Sequence, residues 1–349
     1  MSLFIRNDLR LLDARLEQLQ QAPFFRDGLH SYIEKMRAVV AQLQLRLQTL
    51  PPELVRDLTY QVWTAYRYLS GSVSREIPYE VVYGLDLALM DWVSSPPEYI
   101  VTTAFLAEQN YHFEGVPEQF YSLADGTLGV TFNHRVVQVA LPQLYKHQPL
   151  NNTVLYHELG HFVDEQFAIS KLMAMINGAR SGAQPANRSQ LCHAAEFFAD
   201  LFAASYVGDA VAVMIESMAP NASVSYTHPA TTQRSQVVRD FLAGQQNDVV
   251  DLCNSALLAL GKPALSQRFI APDVSGCFDN VRPYEIKNER EVHGVLLAAQ
   301  RYLTNRLANL TGLWATVDEG SAIRIINDLV EKSLRSWMIR ERWQDASTA

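Results

Sequence analysis

The 349-residue sequence predicts an α+β chain that is predominantly helical. Three observations carry this. Apolar residues recur at helical spacing through both ends of the chain, β-rich runs are confined to a short central stretch, and Pro and Gly punctuate the helical segments. Hydrophobic residues make up 48% and charged residues 19%. That is the balance of an ordinary globular protein, and the length suggests two or three subdomains.

Residues 1–97 read as a helical N-terminal region. Leu9, Leu12, Leu16 and Leu19 share one helix face, and breaks are expected near Ala22-Pro23, Pro51-Pro52 and Gly71, with a boundary at Pro96-Pro97. Residues 99–105 and 129–141 read as strands, the second with a turn near Asn133-His134. Residues 135–141 are the expected exposed edge, along which an extended substrate can add as a strand. The small sheet precedes a helix capped by Asn151, Asn152 and Thr153 and running through Val154, Phe162, Val163, Phe167 and Ile169 toward Gly178. A second helix spans 193–204 and closes at Gly208, and a third runs from His228-Pro229 to Gly244. These elements make a core over residues 98–245. Residues 246–349 read as a helical C-terminal region, through 292–313 and 322–343, and no internal repeat or low-complexity tract interrupts the chain.

His157-Glu158-Leu159-Gly160-His161 is the stretch that carries chemistry. On a helix the two histidines lie about 40° apart, so both rings reach one metal ion with Glu158 beside them. With nine histidines in the chain, chance produces such a motif in only about one chain of this kind in a hundred. A catalytic tetrahedral zinc site takes three protein ligands and a water, which requires a third ligand downstream. Glu196 is the best candidate. It shares a face of an apolar helix with Asp200, and buried carboxylates there need partners. Asp200 can accept the far N–H of a metal-bound histidine and fix its tautomer. His193, three residues before Glu196, is the competing ligand; Cys192 ranks lower, since a lone cysteine is more often a small buried hydrophobe. At Thr227-His228-Pro229, proline favours the first turn of a helix, which places His228 at a helix N-terminus as a donor to a developing oxyanion. Arg234 follows on that helix, able to clamp a substrate carbonyl or to hold another carboxylate. His30, His112, His134, His147 and His293 lack ligand spacing and read as structural.

HELGH, then EFFAD followed by LFAA, then THP with an arginine six residues after its histidine resemble, in this order, the HtpX and CAAX prenyl protease family of gluzincin-type zinc metallopeptidases. The resemblance covers about residues 125 to 245. It implies a zincin-like core, one Zn2+ per chain on His157, His161 and Glu196, and Asp200 behind the ligands. It further implies Glu158 as general base for a zinc-activated water, His228 as a catalytic group and Arg234 as a substrate-binding one. A zinc metallopeptidase acting on a peptide or protein substrate is therefore the expected function. The interval between His161 and Glu196 is shorter than in the membrane members of the family, which implies a soluble relative. HELGH with EFFADLFAA also resembles the ImmA/IrrE peptidases, which cleave a dedicated partner; THP and its arginine favour the first family. A non-catalytic zinc-binding sensor or scaffold is the remaining reading.

Other classes are disfavoured. A net charge of −8 without a Lys/Arg cluster argues against nucleic acid as a partner. No stretch reaches the ~18 uncharged apolar residues of a transmembrane helix. Arg6 and Asp8 interrupt any signal-peptide core. Three scattered cysteines, Cys192, Cys253 and Cys277, suit a reducing compartment. The expected location is cytoplasmic, and the sequons at Asn151, Asn187, Asn221 and Asn309 then stay unglycosylated.

Overall fold

The computed structural model describes residues 3–26, 28–75, 77–93, 98–181, 186–309 and 312–348. The chain divides into two compact units, one of residues 1–82 and 88–143 and the other of residues 83–87 and 144–349. The sheet thus groups with the N-terminal helices, not with the HELGH helix, and neither the expected boundary at 97/98 nor that at 245/246 coincides with this division. The expected break at Pro96-Pro97 lies outside the described residues.

The first unit opens with α1 (Leu3–Gln20), α2 (Gly28–Leu45) and α3 (Pro52–Gly71), followed by α4 (Tyr79–Met90), whose residues Tyr83–Leu87 group with the second unit. Leu9, Leu12 and Leu16 are fully buried and join Ile33, Met36, Val40 and Leu58 in one apolar core, as the leucine periodicity requires. β1 (Glu98–Leu106), β2 (His112–Gly115), α5 (Glu118–Leu128) and β3 (His134–Pro142) complete the unit. The end of α3 lies directly on β1: a Cβ at Gly71 would collide with the Thr103 carbonyl oxygen. Ser72 Oγ accepts from Thr103 N at 2.9 Å beside it.

The strand order is β1-β3-β2, with β3 parallel to β1 and antiparallel to β2. This corrects two expectations. Residues 129–133 are not strand, because α5 ends at Gly129 in the left-handed region (φ 69) and the chain turns before β3 begins. Residues 135–141 are not an edge either, since β3 is the middle strand and is hydrogen-bonded on both sides.

In the second unit a 3-10 turn at Asn151–Thr153 leads into α6 (Val154–Phe167), then α7 (Ile169–Ser181), α8 (Arg188–Val207) and α9 (Ala210–Met218). α10 (Thr231–Ala243), α11 (Asp248–Ala259), the short α12 (Ser275–Phe278), α13 (Glu289–Ala308) and α14 (Glu319–Thr348) follow. The helix expected to reach Gly178 is broken at Ala168, which adopts φ 54 and ψ 39. Asp164 Oδ1 accepts from Ser170 N at 2.6 Å across the break, which restarts the helix as α7. No side-chain cap forms at Thr153; its hydroxyl donates to the Leu150 carbonyl at 2.9 Å, and the 3-10 turn itself extends the helix N-terminus. α8 has a reciprocal capping box between Asn187 and Gln190 and ends at Gly208 (φ 60). Residues 260–288 are largely irregular rather than helical, held by backbone bonds such as Arg268 N to Ser205 O at 2.6 Å and Ile270 N to Arg290 O at 2.9 Å. No described helix is long and apolar enough to cross a membrane.

Candidate metal centre

α6 and α8 cross at Gly160 and Ala199. A Cβ at Gly160 would stand 2.8 Å from Ala199 Cα and 3.1 Å from its carbonyl oxygen, so glycine is required for this approach. The crossing sets the α6 histidines opposite the α8 carboxylates. His157, His161 and Glu196 bring one ligand atom each to within 4.8 Å of one another, the only such group among the described residues. His157 Nε2 and His161 Nε2 are 3.0 Å apart. Glu196 Oε2 is 3.5 Å from the first and Oε1 is 3.5 Å from the second. Donors on a tetrahedral zinc at its usual bond lengths stand roughly 3.3 Å apart, so these three donors fit one ion. The buried Glu196 Oε2 points the same way: Arg234 lies 3.1 Å from it, yet it receives no well-aligned hydrogen bond.

Asp200 stands behind His157. Its Oδ1 is 2.8 Å from His157 Nδ1, an ion-pair distance without good hydrogen-bond alignment. Asp200 is 0% exposed and must be partnered. Arg234, from α10, donates to it twice, Nε to Oδ2 and a terminal nitrogen to Oδ1, each at 2.7 Å. Of the two roles open to Arg234 from sequence, holding carboxylates is the one its contacts fit.

These contacts set the protonation states. Burial acts against charge on His157, but the Asp200 contact and the negative charges of Asp200 and Glu196 prevail and raise its pKa. Burial, with the neighbouring His157, pushes His161 down to about 3, which leaves its ring neutral with a lone pair for a metal. Burial opposes ionisation of Asp200, but the Arg234 guanidinium holds its pKa down at about 2. Burial likewise opposes charge on Arg234, while Asp200, Glu196 and Glu158 keep it above its ordinary value.

Compared with protein-family models, with curated proteins and with solved structures, the chain matches none.

Glu158 is half-buried on α6 next to His157 and lies within the electrostatic reach of Arg234. His228 is 54% exposed, with Nε2 3.5 Å from Glu196 Oε1 and Nδ1 2.7 Å from Thr227 Oγ1. It stands three residues ahead of the first residue of α10, whose N-cap is Ala230, so Pro229 precedes the first turn and His228 is not at the helix N-terminus as the His-Pro pair suggested. His193 is not a ligand: its Nε2 lies 2.8 Å from the Ser225 carbonyl, to which it must donate. Cys192 is outside the metal group, as are His30, His112, His134, His147 and His293. Sequence reasoning assigned no role to Gly160; an isolated glycine inside a helix costs about 1 kcal/mol against alanine, and that cost was the available signal of a close approach.

Proposed function

We propose that this protein is a zinc-dependent metallopeptidase with a zincin-like core, a relative of the HtpX and CAAX prenyl protease family. The observation that carries the reading is the convergence of His157 Nε2, His161 Nε2 and the Glu196 carboxylate on one point, with Asp200 directly behind His157. The order of HELGH, EFFAD and THP along the chain supports the same family.

His157, His161 and Glu196 would hold a zinc ion, which would supply Lewis-acid activation of a water and of the scissile carbonyl. Asp200 orients the His157 ring and keeps its Nε2 turned to the ligand side. Arg234 holds Asp200 ionised and offsets the charge of Glu196 and Glu158. Glu158 accepts the proton of the attacking water and delivers it to the leaving amine. His228, on the exposed side of Glu196, donates from Nε2 to the oxyanion that forms as the carbonyl is attacked.

The test measures zinc content and hydrolysis together. The purified chain is expected to hold about one zinc, and Glu158→Gln to keep that zinc while cleavage of a quenched fluorescent peptide library falls by ~10² to 10⁴. Full activity in zinc-loaded Glu158→Gln overturns the mechanism. Tight zinc binding by a parent protein that cleaves no peptide points instead to a structural zinc site.

A further inference from the structure

His228 sits on the irregular segment 219–230 between α9 and α10, yet its ring is placed against Glu196 of α8. The origin of that placement lies one and two turns upstream on α8. Ser189 and His193 are four residues apart and share a face. Ser189 Oγ donates to the Tyr226 carbonyl at 2.8 Å, and His193 Nε2 donates to the Ser225 carbonyl at 2.8 Å. Two successive loop carbonyls are therefore held by two successive turns of one helix face. The loop carries the restraint onward to His228. Ser225 N donates to the His228 carbonyl at 2.9 Å, and His228 N donates back to Ser225 Oγ at 2.9 Å, closing a tight turn. At the far end Thr231 N donates to the Ala222 carbonyl at 3.1 Å, and Thr231 Oγ1 to the Ala219 carbonyl at 2.5 Å.

We infer that His193, with Ser189, is a positioning residue that locks the His228 loop onto α8, so that the oxyanion donor and the metal ligand Glu196 are set by the same helix. This rests on the peptidase reading for its catalytic meaning. The bonds are made to backbone carbonyls, so the side-chain identities of Ser225 and Tyr226 matter less than the donors on α8. A displacement of about 1 Å in a catalytic group can cost ~10²-fold in rate, and that is the scale on which the tether acts. His193 needs only an N–H at the Nε2 position. Gln carries one in nearly the same place and Leu carries none.

The experiment uses the full zinc-loaded chain and compares His193→Leu, His193→Gln and Ser189→Ala with the parent. Amide hydrogen exchange over residues 219–230 is expected to quicken in His193→Leu, less so in Ser189→Ala, and to return toward the parent rate in His193→Gln. On the quenched peptide library, His193→Leu should lower kcat about 10- to 100-fold with KM and zinc content unchanged, His193→Gln should recover most of the loss, and His193→Leu should add little to His228→Phe. Unchanged loop exchange in His193→Leu overturns the tether. Faster exchange with unchanged kcat overturns the positioning role. A parent protein that cleaves no peptide overturns the peptidase reading and with it the catalytic meaning of the tether, whose structural half is still decided by exchange.

Discussion

Each of the two units sets histidine beside carboxylate, and the two clusters are built differently. In the first unit Tyr68 OH donates to Glu114 Oε2 at 3.1 Å and lies 3.2 Å from His112 Nε2. The phenol stands between imidazole and carboxylate and serves both, and burial raises the pKa of Tyr68 and lowers that of His112. In the second unit no hydroxyl intervenes. Two imidazole nitrogens face each other at 3.0 Å with a carboxylate opposite both, and the protein's own cation, Arg234, sits to the rear. Proximity of histidine to an acid is thus common to both clusters. What distinguishes a metal centre is lone pairs that meet at one point, with the compensating donors placed behind them.

The sharpest way to break this comparison is to delete a donor from each cluster. His161→Ala or Glu196→Ala is expected to empty the chain of zinc, while His112→Ala and Glu114→Gln leave about one zinc bound, as read by metal analysis of folded protein. Equal zinc content in all four variants would erase the distinction. Next in size is the exposed imidazole that only the second cluster possesses. His228→Phe should lower kcat and kcat/KM together by roughly 10² to 10³ with zinc retained, the loss of one oxyanion donor; silent kinetics would return His228 to a surface residue.

A smaller effect is expected from the helix crossing that assembles the second cluster. Gly160→Ala drives a methyl into Ala199 and should destabilise the fold by about 1–3 kcal/mol while weakening zinc binding. Gly178→Ala, inside α7 where nothing lies within 4 Å, is the control: zinc binding should be unchanged and the fold stabilised by up to about 1 kcal/mol. Identical behaviour of the two would show that the crossing is not as tight as its geometry implies.

Smallest is a pH effect in the zinc-free protein. The folded pKa of Asp200, about 2, lies below its ordinary 3.8. Its contribution to stability is therefore full above pH 3.8 and is lost as pH falls toward 2, amounting to roughly 2 kcal/mol. Denaturant titrations between pH 5 and 2 should show a shallower acid limb for Asp200→Asn than for the parent. Parallel limbs would mean that Arg234 does not hold this carboxyl ionised.

The grouping of His157, His161 and Glu196, with Asp200 behind them, was legible because its geometry is local: an i, i+4 pair on one helix and an i, i+4 pair on another need only helical pitch to be placed. The N-terminal helix breaks were legible for the same reason, being written in Pro and Gly. The break at Ala168 was not. Alanine carries no such mark, and its left-handed conformation accompanies a bond from Ser170 to the buried Asp164 six residues earlier. The central place of β3 depends on pairings with β1 and β2 across the chain, which no run of β-branched residues specifies. Leu265 and Val274 are buried in the largely irregular stretch 260–288, so apolar residues there serve packing without forming a long helix. His193 looked like a rival ligand because its partner, the Ser225 carbonyl, is a backbone atom and leaves no trace in side-chain spacing.

Arg234 has a consequence in time. Because one guanidinium already contacts both Asp200 and Glu196, the chain's own charge partly compensates the acids at the crossing, beside the apolar packing of α6 on α8. On the zinc reading, acquiring shape and acquiring metal are then separable events in the life of a newly made molecule. On the peptidase reading, a folded and inert chain awaits its ion, and the supply of that ion sets the moment at which a protease comes into being.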